Sequence, residues 1–203
     1  MPFNHNHHYH PLLLRTVPEG ARTALDIGCG TGLFARRLAA SGLDVEAVDE
    51  AAEVVEAARA LGNPGPGKIS YRCADITEAE LGRYDFISGL ASIHHVPFET
   101  VARLRDALEP GGVLAILGLG RPSSPAELGK WLLAGPPLNL AARLIVHLGE
   151  RLNGGPEPLG VVPPVKAETM TMRQIRRASA SLLPGSTVRP LAFWRYLLVY
   201  QAG

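Results

Sequence analysis

The feature that most constrains this chain is a short apolar run that breaks into glycines, Ala24-Leu-Asp-Ile-Gly-Cys-Gly-Thr-Gly32. Glycines at 28, 30 and 32 let the backbone turn sharply and approach a ligand with no side chain in the way. A helical pattern follows over Thr31–Ala40, with Leu33, Phe34 and Leu38 on one side and Arg36 and Arg37 on the other. The start of that helix offers free N–H groups and a positive dipole end to a negative group such as a carboxylate. Asp26, just before the turn, places a carboxylate beside it. That charge repels the phosphates of a dinucleotide and suits an ammonium or sulfonium ligand. Leu33 stands where the third glycine of a G-x-G-x-x-G fingerprint belongs.

The same strand–helix rhythm continues to residue 120. Strands are expected over Ala24–Ile27, Asp44–Val48, Lys68–Cys73, Tyr84–Leu90 and Val113–Leu117, and helices over Ala51–Leu61 and Phe98–Leu108. Residues 62–67, Gly-Asn-Pro-Gly-Pro-Gly, read as a loop. Glu109-Pro-Gly-Gly112 is expected to stop the helix before it. Near-continuous apolar strands separated by helices imply a parallel sheet covered on both faces. Right-handed crossovers make it doubly wound, with the ligand beyond the carboxyl ends of the strands.

After residue 120 the pattern changes. Residues 121–167 lack strand alternation and carry apolar helical material between Pro-rich segments, read as a small helical cap over an apolar acceptor, with a helix pair packed on the domain and an oligomer or membrane-surface contact as the alternatives. Thr171 with Gln174 three residues on is a capping-box pattern, and Ile175, Ala178 and Leu182 share one face of the helix it opens. Thr187–Leu191 and Tyr196–Gln201 read as a closing antiparallel hairpin. The expected fold is thus an α/β doubly wound, seven-stranded, mostly parallel sheet in a single domain over 1–203, with an N-terminal lid segment at 1–20 and the cap at 121–167.

Composition bounds the function. With 46% hydrophobic and 19% charged residues the chain can bury a core, and a formal charge of +1 gives no basic surplus to track nucleic-acid phosphates. The stretch 131–148 is broken by Pro136, Pro137, Asn139, Arg143 and His147, so no membrane span is expected. No basic stretch followed by an apolar core opens the chain, which is read as cytoplasmic. Cys29 and Cys73 are read as small buried residues in a reducing compartment. His5, His7, His8 and His10 include no pair four apart and no neighbouring acid, so no metal site is expected.

A second acid, Asp49, ends the second strand one crossover after the glycines, where a carboxylate can accept from both hydroxyls of a ribose. With Asp26 before the turn and Asp49 after it, a nucleoside ligand is the expectation. Ala24–Gly32 resembles the first motif of the class I S-adenosylmethionine-dependent methyltransferases. The resemblance extends to Glu46-Ala-Val-Asp-Glu50, Cys73-Ala-Asp-Ile76, Tyr84–Pro97 and Leu104–Leu114, and covers about residues 20–120.

The resemblance implies a Rossmann-like methyltransferase fold, S-adenosylmethionine as cofactor, and roles for named residues. Gly28 and Gly30, with Asp26 beside them, would flank the methionine part, Asp49 would hold the ribose, and Glu50 would lie beside the adenine. Asp75 would accept from the adenine amino group and Ile76 pack on the ring; the alternative for Asp75 is a helix N-cap before Thr77-Glu78. The backbone around Gly89–Leu90 would meet the ammonium. Tyr9, His10 and Leu12–Leu14 are expected to fold over the cofactor cleft.

Methyl transfer is an in-line displacement that needs no covalent nucleophile, and orientation supplies much of the acceleration. A base is needed only where the acceptor must lose a proton. His94 and His95, beyond the fourth strand, are the candidates, with an ordinary pKa near 6.5 as the expectation. The chain has no Asn/Asp-Pro-Pro-Tyr/Phe sequence, no Pro-Cys loop and no nucleic-acid module. The expected acceptor is therefore a small, in part apolar, molecule, and the protein a monomer or homodimer. Two rivals stay open: a cofactor-binding protein or partner subunit without transfer activity, and a dinucleotide oxidoreductase.

Overall fold

The computed structural model describes residues 8–63, 65–124, 129, 170–192 and 194–203. Their strands form a seven-stranded sheet of order β3-β2-β1-β4-β5-β7-β6. The strands are β1 Thr23–Ile27, β2 Asp44–Asp49, β3 Ile69–Cys73, β4 Tyr84–Leu90, β5 Leu108–Leu119, β6 Thr187–Pro190 and β7 Arg195–Gln201. The first five run parallel, and β7 pairs antiparallel with both β5 and β6. Among the described residues the α-helices are α1 His10–Leu14, α2 Leu33–Ala40, α3 Ala52–Ala60, α4 Thr100–Asp106 and α5 Met172–Leu182, with a 3-10 turn at Ile93–His95. The expected doubly wound sheet with a closing hairpin is the observed architecture.

Alternation along the strands divides the core between two faces. Leu25, Ile27, Ile87, Leu114, Ile116 and Leu198 pack under α4 and α5, together with Leu104 and Ile175. Ala24, Phe86, Ala115, Leu117 and Leu197 pack on the other face with Phe34 and Leu38 of α2 and with Tyr9 and Leu13 at the N-terminus. The reading of residues 1–20 as a lid meets an unexpected observation here. From residue 8 onward, where this segment is described, Leu13 is fully buried in the sheet core. The expected cap lies outside the described residues apart from 121–124 and 129.

Several boundaries depart from the sequence reading, each for a local reason. The helix after the glycines begins at Leu33 rather than Thr31, because its N-cap Gly32 has a left-handed backbone (φ 75°) that cannot continue a helix. The helix expected over 98–108 is shorter, and Leu108 already belongs to β5. Glu109–Gly112 does not form a free turn either. Tyr84 pairs with Leu108 and Phe86 with Val113, so the four residues bulge opposite Asp85. Gly111 N–H donates to the Ala202 carbonyl (3.1 Å) and Ala202 N–H to the Gly112 carbonyl (2.8 Å), which stitches the bulge to the C-terminal strand. At α5 the capping box forms as expected, with Gln174 N–H donating to Thr171 Oγ1 (3.3 Å) and Thr171 N–H to Gln174 Oε1 (2.8 Å).

Candidate active site

The strand order places the predicted site residues in one row. Asp75 follows β3, Asp49 ends β2, the glycine turn follows β1, and Gly89–Leu90 ends β4 with His94 just beyond. With neighbouring strands about 4.8 Å apart, the row from β3 to β4 spans roughly 15 Å. It crosses the gap between β1 and β4, where the crossovers diverge and open α/β sheets bind ligands.

At the centre of the row the backbone is held by acids. Gly28, Gly30 and Gly32 all have positive φ, and Gly30 N–H donates to Asp49 Oδ2 (2.9 Å). The other oxygen of Asp49 accepts from Ala51 N–H (3.1 Å), so this carboxylate joins the glycine turn to the start of α3. A Cβ built on Gly30 meets nothing within 4 Å, which leaves open space above the turn, whereas one on Gly28 would come within 2.3 Å of Ser92 Cβ. Asp26 is only 2% exposed, on the α2 side of β1, and accepts from Ser88 Oγ (2.7 Å) on the neighbouring β4. Burial, opposed by the Ser88 bond and reinforced by the charge of Asp49, pushes its carboxyl up to about 7.

Toward β3 the picture is mixed. Asp75 lies exposed, and its Oδ1 accepts from both Thr77 N–H and Thr77 Oγ1–H (2.8 Å each), which holds its carboxyl below the usual range. The alternative of a helix N-cap is not met, because Thr77 and Glu78 form a turn and no helix follows. One carboxylate oxygen of Asp75 remains outside that turn. Ile76 is buried against the α4–α5 face of the core, and Glu50 is exposed beside Asp49. The reading of both cysteines as buried is corrected: Cys73 is exposed and Cys29 half-buried. Cys73 closes the sheet's rim, where a side chain points to solvent, and burial pushes the Cys29 thiol well above its usual range.

Toward β4 the backbone is strained. Ala91 has φ 55°, rare for a residue with a Cβ, and is pinned there by its N–H donating to the Leu117 carbonyl (2.7 Å). Ser92 follows, and its buried hydroxyl has no hydrogen-bond partner among the described residues. His94 is half-buried with its Nδ1 likewise unpartnered, and its ring lies 4.1 Å from that of the exposed His95. The expected ordinary pKa does not hold for His94. Burial first, then the neighbouring His95 and Arg195, lower it to about 4. Arg195, at the start of β7, and Tyr9 complete this end; Tyr9 Oη donates to the Ala192 carbonyl (3.0 Å) and fastens the N-terminal segment to the β6–β7 turn. His10 packs edge-on against Phe34 of α2 (4.9 Å).

The residues present fit a cationic nucleoside. Asp49 holds the turn and Asp26 lies buried beside it; the turn is open at Gly30, while Ser92 and Tyr71 fill the space at Gly28 and Gly32, and two buried polar atoms, on Ser92 and His94, lie beyond it. Sequence reasoning missed Ser88, Ser92 and Arg195. Ser88 was legible as a lone polar residue inside an apolar strand, facing a lone acid in the strand beside it; Ser92 and Arg195 carried no such signal.

Residues 24–112 match the family model described as a methyltransferase domain. An uncharacterized methyltransferase of Mycobacterium tuberculosis is 34% identical over 208 residues, covering 99% of this chain and 98% of that protein. A ubiquinone biosynthesis O-methyltransferase of Xanthomonas axonopodis is 34% identical over 112 residues, 53% of this chain and 46% of that protein. Among solved structures, a SAM-dependent methyltransferase from Methanosarcina mazei aligns with TM-score 0.64 at 18% identity, over 95% of this chain and 97% of that one. Magnesium protoporphyrin IX methyltransferase from Synechocystis aligns with TM-score 0.62 at 16% identity, over 98% of this chain and 84% of that one. At such identities the structures speak for the fold. The end-to-end match to the mycobacterial protein speaks for more, and on it this chain belongs to the methyltransferase family.

Proposed function

We propose that the protein uses S-adenosylmethionine to methylate a small-molecule acceptor. The observation that carries this reading is the glycine turn locked to Asp49 with the buried carboxylate of Asp26 beside it. Bound there, the sulfonium supplies an activated methyl group: the acceptor's lone pair forms a bond to the methyl carbon as the carbon–sulfur bond breaks, leaving a neutral thioether.

The chain's own residues do the rest. Asp49 holds the ribose with the lone pairs its backbone bonds leave, and Glu50 borders the adenine. Asp75 offers its remaining oxygen to the adenine amino group, with Ile76 forming the apolar floor. Gly28 and Gly30 give backbone access to the methionine part, and the Gly89–Leu90 backbone meets its ammonium. His94 stays neutral at physiological pH, so its free Nδ1 can accept a hydrogen bond from an acceptor O–H or N–H and orient the lone pair at the methyl carbon. A pKa near 4 makes it a weak base, so positioning is its main contribution. His95, exposed beside it, borders the same end of the cleft. Tyr9, tied to the β6–β7 turn, borders the acceptor end of the cleft. The likeness to proteins named for ubiquinone biosynthesis O-methylation supports a small organic acceptor.

The test is incubation with S-adenosylmethionine and a fractionated metabolite extract, monitored for S-adenosylhomocysteine. Formation of that product in one fraction, reduced about 10- to 100-fold by His94→Gln, supports the reading. Tight cofactor binding with no product in any fraction supports a binding protein without transfer activity.

A further inference from the structure

Asp26 is a carboxylate with one side-chain partner in an enclosed place. Ser88, itself fully buried, donates to it from β4, and the N–H of Ala35 in the first turn of α2 favours its anion as well. The titratable groups that face it from the surrounding elements are Asp49 from β2, Cys29 from the glycine turn and Tyr71 from β3. Asp49 repels a second negative charge, while the thiol and the phenol stay neutral because burial raises both. Arg36 is directed at the phenol of Tyr71 and the carbonyl of Thr31. Burial beside a second carboxylate favours the protonated form of such an acid, and a cation brought next to it favours the anion.

Resting on the cofactor reading above, we propose that buried Asp26 holds a proton in the empty protein against the pull of its Ser88 donor, and that entry of the cofactor's cationic end expels that proton. Cofactor binding is then proton-linked. Below neutrality the proton must be removed before the cation is accommodated, so affinity rises with pH and levels off once the empty protein is ionised at Asp26. Ser88 acts as a positioning residue: its hydroxyl donates to the anion and sets the pH at which the proton leaves.

The experiment is calorimetric titration of the full chain with S-adenosylmethionine and S-adenosylhomocysteine between pH 5.5 and 7.5, in buffers of different ionisation enthalpy. Over the acid part of this range the ligands' own α-amino groups, with an ordinary pKa near 8, keep their proton. We expect release of roughly 0.5–1 proton per ligand bound at pH 6, and affinity rising up to about tenfold per pH unit below neutrality. Asp26→Asn is expected to abolish the release and flatten the affinity profile, because the amide keeps the shape but has no proton to lose. Ser88→Ala, which leaves the acid without its donor, moves the release to higher pH. Binding without proton release, or release unchanged in Asp26→Asn, overturns this inference alone. Absence of binding heat at every pH in the folded wild-type protein overturns the cofactor reading and this inference with it.

Discussion

At the scale of single residues, the site is built from groups held away from their ordinary chemistry. Asp26, held up near 7 by burial, binds more protons in the folded than in the unfolded chain between about pH 4 and 7. Its contribution to stability is therefore full below its unfolded pKa and is lost as pH rises through 7. We expect Asp26→Asn to gain on the wild type as pH rises from 5 to 8, by about 2–3 kcal/mol, measured as a widening gap in thermal midpoint. A gap that stays constant with pH contradicts this. His94 has the opposite sign, since its lowered pKa makes the folded state less stable as pH falls from 6.5 toward 4. The two cysteines differ in the same physical terms. A thiol reagent is expected to label Cys73, which is exposed, quickly and Cys29, which is half-buried with a raised pKa, slowly, as mass mapping of the modified peptides will read. These shifts were not legible in the sequence. It places two acids near a turn, but burial and a partner across the sheet decide their ionisation.

At the scale of elements, the glycine turn and the segment after β4 are one mechanical unit. A Cβ on Gly28 would strike Ser92 Cβ at 2.3 Å while forcing a side chain onto a backbone at φ 60°. Gly28→Ala is expected to cost about 1–3 kcal/mol and most of the cofactor affinity. The double variant Gly28→Ala/Ser92→Gly removes the clash but not the strain, so it should recover part of the loss; no recovery would mean that the two segments do not meet. Helix α5 depends on its cap in a simpler way. Thr171→Ala should cost about 1 kcal/mol and lower the thermal midpoint by about 2–4 °C. That cap was readable from Thr171 and Gln174 alone because the signal is local. The β5 bulge was not: whether Pro110-Gly-Gly112 makes a turn or a bulge depends on Ala202, which bonds to it from about ninety residues away.

At the scale of the whole molecule, alternation of short apolar runs and helices was enough to read a doubly wound sheet, and the order of the acids along the chain became their order along the sheet edge. The partnership of the two chain ends was hidden, since nothing local ties Tyr9 to Ala192. Tyr9→Phe is expected to lose about 1 kcal/mol, with a larger effect on acceptor turnover than on cofactor binding, because the bond closes the β4–β7 end of the row. The central claim is that the glycine turn and Asp49 form an adenosyl-sulfonium site, and calorimetry of the wild type and Asp49→Ala with S-adenosylmethionine and with NAD tests it directly. We expect one S-adenosylmethionine bound per chain, a loss of tenfold or more in Asp49→Ala (about 1.4 kcal/mol), and no heat with NAD. A folded, monodisperse wild-type sample that binds NAD and ignores S-adenosylmethionine would contradict it.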